Sequence, residues 1–334
     1  MLSRRKLKIL LIITLVFLSN RWSAPVTQAA TTPPPYTYSY YMWTTDSQTL
    51  YNLGYNLGQQ DLNTAGTQDH FLILNFGKPK SQSGYGTLLY DGGGFASTSQ
   101  IASAVEQFAR GYYLGTGTDT SSTTFIAIGT TNYYDPSSIN EVTPSHGQAW
   151  GQMVDQVASW VVNGGYSRQV TIVGASDMEL DWNSRTTTRN WVDAYSQAGS
   201  WALYDYGDAG GCPSSSSTNT KVSQPCNNGW TQDDVFYISN GAPKALPSPQ
   251  IYNTQGTNAN QWRQVALYGY NGPPQRFMYF YVELTQYKAC QQRPSSLCNG
   301  ANNTPATGWT QLSNALNGAG LTQSIRWSTD IRYK

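Results

Sequence analysis

The 334-residue sequence predicts an α/β protein with a (β/α)8, TIM-like barrel. Short apolar runs alternate repeatedly with amphipathic helical patterns, which indicates a parallel sheet covered by helices. Eight or nine candidate strands fit the length of such a barrel, about 250 residues or more with insertions. No later linker divides the chain after residue 36. An open doubly wound α/β sheet is the alternative, because it shows the same alternation.

The N-terminal segment 1–29 has the pattern of a secretory signal peptide. Four basic residues precede the apolar run Ile9–Leu18, and small residues then allow cleavage near Ala29. A transmembrane anchor, the alternative, needs about 20 apolar residues, twice the length of this run. We therefore expect a secreted, extracellular protein with a Pro-rich linker over 30–35 and a single barrel domain over 36–334.

The composition narrows the classes of partner. Charged residues make up only 12% of the chain, whereas Tyr (24), Trp (11) and Gly (31) are abundant. Cleavage of the signal peptide would remove five basic residues and change the net charge from +1 to −4. A nucleic-acid-binding surface is therefore not expected, nor is an integral membrane segment after cleavage. The oligomeric state is not predicted.

The first half of the chain gives the clearest elements. The predicted strands are Tyr36–Trp43, Phe71–Phe76, Thr124–Gly129 and Val170–Val173. The predicted helices are Ser99–Leu114, a segment capped by Ser145 and stopped by Gly164, and Thr187–Ala198. In each helix the apolar residues recur at helical spacing.

The second half is less regular. Further strands are predicted at Trp201–Tyr206, Val235–Ser239, Gln250–Tyr252, Phe277–Leu284 and Ile325–Trp327, with helices at Asn258–Tyr268 and Trp309–Leu316. No helix stands out between residues 207 and 249. We therefore expect an irregular barrel there.

The four cysteines lie in polar stretches that are typical of loops. Four cysteines allow three pairings, and the short spacings favour Cys212–Cys226 and Cys290–Cys298. A zinc site is disfavoured, because ligand pairs usually lie two to four residues apart. An exported protein with two disulfides is the expectation.

The segment after Val170 carries the strongest chemical signal. In an extended chain Asp177, Glu179 and Asp181 share one face, and this face would point into the barrel at its C-terminal mouth, where barrel active sites lie. Closely spaced carboxylates repel one another, so at least one pKa should rise. A protonated acid beside an ionised neighbour is the arrangement that glycosidases use.

This Asp-x-Glu pattern at the end of a middle strand resembles that of family 18 chitinases and family 25 muramidases, which are (β/α)8 glycoside hydrolases. The resemblance covers about seven residues and the general strand–helix order. It implies that Glu179 is the general acid that protonates the leaving oxygen. It also implies that Asp177 stabilises or orients an acetamido group of the substrate. Asp181 is the third catalytic candidate.

A structural role for these acids is the alternative interpretation. They would then bind loop amides and Arg185 or Arg189, or cap the next helix together with Asn183 or Ser184. Two other positions offer acids near strand ends: Glu283, and the pair Asp205 and Asp208.

Aromatic residues follow or end several predicted strands, where a barrel mouth would be lined. They are Trp43, Tyr133, Tyr134, Trp182, Tyr204, Tyr206 and Tyr252. Flat rings with a polar edge suit the faces of a sugar. We assign substrate binding to Trp182, Trp43, Tyr206 and Tyr252, with Glu283 as an additional mouth residue.

The sequence shows no motif for other types of chemistry. Neither His70 nor His146 belongs to a metal-binding pattern, and no phosphate-binding loop is present; we therefore predict no metal and no cofactor. The predicted function is hydrolysis of an extracellular or cell-wall polysaccharide, such as peptidoglycan, by carboxylate acid/base chemistry. The alternative is a non-catalytic carbohydrate-binding or cell-surface protein on the same barrel.

Overall fold

The computed structural model describes residues 32–334. The predicted signal peptide and the start of the linker lie outside the described residues. The strands are β1 (Tyr36–Tyr41), β2 (Asp69–Asn75), β3 (Lys78–Ser81), β4 (Tyr85–Leu88), β5 (Phe95–Ser97), β6 (Thr123–Thr131), β7 (Val170–Asp177), β8 (Leu203–Asp205), β9 (Ala245–Pro247), β10 (Val282–Thr285) and β11 (Trp327–Tyr333). The helices are α1 (Ser47–Leu62), α2 (Thr98–Gly115), α3 (Pro144–Asn163), α4 (Arg185–Ala198), α5 (Gln232–Phe236), α6 (Thr257–Asn271), α7 (Tyr287–Gln292) and α8 (Pro305–Gly318).

Eight of the strands form one parallel sheet in the order β10-β11-β1-β2-β6-β7-β8-β9. The two ends of this sheet are joined by a single parallel bridge between Gln250 and Leu284. The Ile251 N–H donates to the Leu284 carbonyl at 2.9 Å, and the Leu284 N–H donates to the Pro249 carbonyl at 3.0 Å. This nearly closed sheet with alternating helices confirms the predicted (β/α)8 TIM-like barrel.

The strands divide the core into an inner and an outer layer. Inward residues fill the barrel, among them Phe71, Ile73, Ala127, Val173 and Ala175. The intervening residues of the same strands pack against the helices in a larger outer cluster. Because alternate residues of a strand face opposite sides, this division fixes which side chains at the strand ends face the mouth.

The first helix was not predicted. α1 lacks a strong apolar stripe and instead packs closely on α2 through small residues. A Cβ on Gly54 would lie 2.0 Å from the Phe108 carbonyl oxygen, and one on Gly58 would lie 2.3 Å from that of Tyr112. Glycine therefore allows a backbone approach that a pattern of large apolar residues would not reveal. None of the helices within 32–334 is both long and apolar enough to cross a membrane.

A small antiparallel sheet of β3, β4 and β5 is inserted between β2 and α2. The turn into it passes through Gly77, whose φ is 92° and whose Cβ would meet the Leu88 carbonyl oxygen at 2.1 Å. No periodic pattern marked this insertion in the sequence. It places residues 77–94 beside the C-terminal ends of β2 and β6.

Several predictions of local structure were wrong. The segment predicted as strand Gln250–Tyr252 forms only an isolated bridge to Leu284, and the strand predicted over Phe277–Leu284 begins at Val282. The predicted strand Val235–Ser239 lies in α5 and the π-helical turn that follows it, while β9 is the strand that joins the barrel. Thr231 and Asp234 form a reciprocal capping box that begins α5, which outweighs the β-rich composition. The cap of α3 is Thr143 rather than Ser145, since the Thr143 side chain accepts from the His146 N–H.

The irregular second half was predicted correctly. β8 and β9 have only three residues each, and a long loop separates them. Disulfide Cys212–Cys226 ties this loop together, and Cys290–Cys298 closes a shorter one. Both pairings are the ones that the spacing favoured.

Candidate functional site

Two carboxyl groups at the C-terminal end of β7 share one amide. Asp177 ends the strand, and Glu179 follows it by two residues. The Gln250 Nε2 donates to Asp177 Oδ1 at 2.8 Å and to Glu179 Oε1 at 3.2 Å. Gln250 belongs to the segment that closes the barrel, so barrel closure and the acid pair depend on the same residue.

The backbone around Glu179 is fixed by Asn132, which follows β6. The Glu179 N–H donates to Asn132 Oδ1 at 3.1 Å, and Asn132 Nδ2 donates to the Glu179 carbonyl at 3.1 Å. This pair of hydrogen bonds replaces the strand pairing that ends at Asp177. It keeps the Glu179 side chain at the mouth although the strand itself has ended.

Burial changes the protonation of both acids. Asp177 is only 3% exposed, and its pKa is raised well above its usual value, first by burial and then by the charge of Glu179. Burial, followed by the charge of Asp208, raises the pKa of Glu179 to about 7. Their shared bonds from Gln250 act in the opposite direction but do not compensate. The pair therefore retains a proton close to neutral pH.

Tyrosines surround the acid pair inside the mouth. Burial raises the pKa of Tyr41, Tyr90, Tyr206 and Tyr252 well above the usual value, and the charge of Asp177 contributes in each case. These phenols consequently remain neutral over the ordinary pH range. They surround the acids with hydroxyl groups rather than with cations.

The predicted aromatic residues occupy different places. Tyr206 is fully buried and donates its hydroxyl to the Thr130 carbonyl at 2.7 Å. Tyr252 is half-buried beside the acids, and Trp182 lies edge-to-face with Tyr133, with ring centroids 5.6 Å apart. Trp43 is 45% exposed beyond β1. The structure therefore brings Tyr206 and Tyr252, but not all four aromatics, next to the acid pair.

Asp181 and Glu283 do not join this cluster. Asp181 is exposed and accepts from Asn227 Nδ2 at 3.1 Å. Glu283 is fully buried on the outer side of β10, because Val282 and Leu284 face the barrel interior. There its Oε1 accepts from the Ser328 hydroxyl, and its Oε2 has no hydrogen-bond partner.

The two remaining candidate acids, Asp205 and Asp208, bind different partners. Asp205 faces the helical layer and accepts from the Ser239 hydroxyl and the Gly207 N–H; burial raises its pKa to about 7. Asp208 accepts from the Leu180 N–H at 3.2 Å. Asp208 therefore supports the loop after β7, and its charge acts on Glu179 from there.

The alternative in which arginines neutralise the acids is wrong. Arg189 pairs with Asp233 and Asp234, and Arg185 also pairs with Asp234. Among residues 32–334, no ion pair involves Asp177, Glu179 or Asp181. Ser184, as considered from the sequence, does cap α4.

Several site residues were not predicted, although some left a signal. Tyr41 shares the inward face of the opening strand with Thr37 and Ser39, so strand alternation would have placed it at the mouth. Gln250 stands two residues before the predicted Tyr252 on a candidate strand. Tyr90 comes from the inserted segment and left no periodic signal.

A cavity of about 450 Å³ lies at the same end of the barrel as the acid pair. It lies between the inserted sheet and the ends of β2, β6 and β7, and Tyr133 and Trp182 are among its walls. Thr131, which pairs in register with Asp177, is another of its lining residues. The acids thus stand beside a space large enough for a small organic group.

No group of three or more His, Cys, Asp or Glu side chains suited to a metal ion occurs in the part of the chain that the structure describes. No known family model, curated protein or solved structure matches this chain. The site therefore has to be interpreted from its own geometry.

Proposed function

We propose that the protein is a glycoside hydrolase-like enzyme that cleaves an extracellular or cell-wall polysaccharide by carboxylate acid/base chemistry. The observation that carries this proposal is the Gln250-bridged pair of Asp177 and Glu179 at the barrel mouth. Glu179 is the more accessible of the two acids, and its pKa of about 7 makes it a proton donor near neutral pH.

In the proposed reaction Glu179 gives its proton to the glycosidic oxygen as the bond from C1 to that oxygen breaks. Water later supplies the hydroxyl group at C1, and its other proton returns to Glu179. Asp177, whose pKa burial raises well above its usual value, is assigned to orient the substrate by hydrogen bonding rather than by a fixed negative charge. Tyr41 and Tyr252, the half-buried tyrosines beside the pair, supply neutral hydroxyl groups for the sugar.

The short distance between the acids limits the mechanism. An inverting enzyme separates its two carboxyl groups by about 6.5–9.5 Å to admit water. Here an oxygen of each acid bonds to the same nitrogen, at 2.8 and 3.2 Å, so these two oxygens are closer than that range. Asp177 is therefore assigned to stabilise or orient the substrate beside Glu179, and not to activate water across the sugar.

A carbohydrate-binding protein without catalysis is the second candidate. The observation that favours it is the aromatic pair of Tyr133, which is 37% exposed, and the half-buried Trp182, which can hold a sugar face whether or not a bond is cleaved. Both candidates use the same mouth, so fold alone does not separate them.

The test is incubation with peptidoglycan, chitin and a panel of plant and microbial glycans. We expect reducing sugar from at least one glycan, and at least a hundredfold less from Glu179→Gln, consistent with the usual size of acid catalysis. Glu106→Gln, a matched change on α2, should behave like the native chain. Release that persists in Glu179→Gln would remove Glu179 from the mechanism, and binding without release would favour the second candidate.

A further inference from the structure

The cavity beside the acid pair is mostly apolar, unlike a surface made for sugar hydroxyls. Its walls include Leu88, Leu89, Tyr90, Tyr133 and Trp182. Apolar walls of this kind gain free energy when they exclude water, and flat rings favour contact with another flat ring. The shape and chemistry therefore suit a ring-bearing apolar group.

The acids do not line this cavity, but two of its wall residues are neighbours of the acid cluster. Tyr90 supplies a wall of the cavity, and its ring packs 4.8 Å from that of Tyr41 at the acid cluster. Thr131 also lines the cavity and is the register neighbour of Asp177. A group in the cavity and a sugar beside Asp177 and Glu179 would thus be adjacent parts of one molecule.

One cation stands at the cavity. The Lys78 Nζ lies 5.2 Å from the centroid of the Tyr133 ring. Within residues 32–334 Lys78 takes part in no ion pair, whereas Lys80, two residues later, pairs with Glu141 at 2.9 Å. The cavity accordingly combines mostly apolar walls with one positive charge, and this charge forms no ion pair with a carboxylate.

We propose that this cavity is a subsite for an aromatic aglycone that carries an anionic group such as a carboxylate. The ring lies among Leu89, Tyr133 and Trp182, and the anion is bound by Lys78. As an aglycone subsite it rests on the proposed acid catalysis by Glu179 and extends the substrates from polysaccharides to aryl glycosides, in which the aryl oxygen is the leaving oxygen that Glu179 protonates. The binding of the free aryl anion does not depend on that function.

The first test measures binding calorimetrically with two probes, 4-hydroxybenzoate and phenol, on the full chain. Lys78→Met should weaken the binding of 4-hydroxybenzoate at least tenfold. The affinity for phenol should stay within twofold of the native value. Trp182→Ala should weaken both probes. Tyr279→Ala, at a tyrosine that is 51% exposed and does not line the cavity, is the matched control and should change neither.

Circular dichroism and thermal unfolding of each variant check that it is folded. Leu89→Gln is a second variant for the apolar wall, for use if Trp182→Ala does not fold. No saturable binding of 4-hydroxybenzoate by the native chain at millimolar concentration would overturn the proposal. Equal binding by the native chain and Lys78→Met would also overturn it.

The second test compares hydrolysis of 4-carboxyphenyl and phenyl glycosides of the sugar released in the glycan panel. We expect KM for the carboxylated substrate to rise at least tenfold in Lys78→Met, with little change for the phenyl substrate. Hydrolysis that depends on Glu179, without binding of either probe, overturns this subsite and leaves the proposed function. Probe binding without hydrolysis of any glycan overturns the aglycone role and the proposed function, while the aryl-anion site remains.

Discussion

Gln250 Nε2 lies 2.8 Å from Asp177 Oδ1 although 73 residues separate the two in sequence. The contact joins the end of β7 to the segment that closes the barrel against β10. It also brings the only amide donor within hydrogen-bond distance of both acids in the described chain. Protonation of the acid pair and closure of the barrel are therefore linked.

The first prediction concerns this amide. Gln250→Leu removes a hydrogen bond that lowers the pKa of both acids, so the pKa of Glu179 should rise above about 7. Carboxyl-carbon NMR of chain labelled at Glu measures it directly. Gln286→Leu, whose amide donates to the Ala301 carbonyl, should leave the Glu179 titration unchanged. An unchanged or lower pKa in Gln250→Leu would contradict the assignment.

The second prediction is that Asp205 destabilises the protein above neutral pH. Burial raises its pKa from 3.8 to about 7, so the native state loses stability as pH rises from about 4 through 7. Asn at this position can still accept from the Gly207 N–H. It can also donate to Ser239, whose hydroxyl then donates to the Val235 carbonyl 2.7 Å away.

Asp205→Asn should therefore raise the free energy of unfolding by about 2–4 kcal/mol at pH 8 and change it little at pH 4. Urea unfolding at the two pH values measures the difference. Asp193→Asn, near the surface of α4, serves as the control. A gain of equal size at both pH values would show that the effect is not one of ionisation.

The third prediction concerns the disulfides. Cys212–Cys226 closes a segment with a sequence separation of 14, and Cys290–Cys298 one of 8. Loop entropy then predicts losses of about 3 and about 2.5 kcal/mol when each pair is replaced by Ala. Denaturant unfolding measures these losses, and mass measurement with and without reductant detects the bonds. Four free thiols in the purified protein would contradict both pairings.

The fourth prediction concerns a buried chain of hydrogen bonds at the opposite end of the barrel. Asp61 accepts from His70 Nε2 at 2.7 Å and from the Tyr112 hydroxyl at 2.8 Å. His70 Nδ1 is in turn hydrogen-bonded to the Thr37 hydroxyl at 2.6 Å. Four side chains from β1, α1, β2 and α2 are fixed in this way.

Asp61→Ala should cost about 2–4 kcal/mol, because it leaves two buried donors without an acceptor. Tyr112→Phe removes the hydroxyl donor itself, so that no buried donor is left unpaired. It should lower the free energy of unfolding by about 1 kcal/mol. Thermal and urea unfolding measure both. Equal losses in the two variants would mean that the network does not depend on Asp61 as its acceptor.

The barrel was predictable from sequence because its layers follow strand alternation. Asp177 faces the interior, as expected from the inward residues Val173 and Ala175 of the same strand. Beyond the end of β7, strand alternation no longer determines which way a side chain points. The sequence pattern therefore gave Glu179 and Asp181 the same predicted position. Hydrogen bonds to Asn132 keep Glu179 at the mouth, while Asp181 turns to solvent.

Other parts of the site were not predictable for identifiable reasons. Tyr90 and the cavity wall come from an inserted sheet without apolar periodicity. Glu283 was predicted to lie at the mouth because a strand was expected to end there. Val282 and Leu284 face the barrel interior, however, so Glu283 between them lies on the opposite face, against α8. The short run Val235–Ser239 suited a strand by composition, although Thr231 and Asp234 offered a helix start.

The central claim is that Glu179 is a protonated acid near neutral pH, held beside Asp177. Carboxyl-carbon NMR of the native chain labelled at Glu, with Glu179→Gln to assign the signal, measures this most directly. A Glu179 signal that titrates near pH 7 is the predicted result. A signal that titrates near pH 4.5, the ordinary value for Glu, would mean an ionised carboxylate at neutral pH and would contradict its role as the acid.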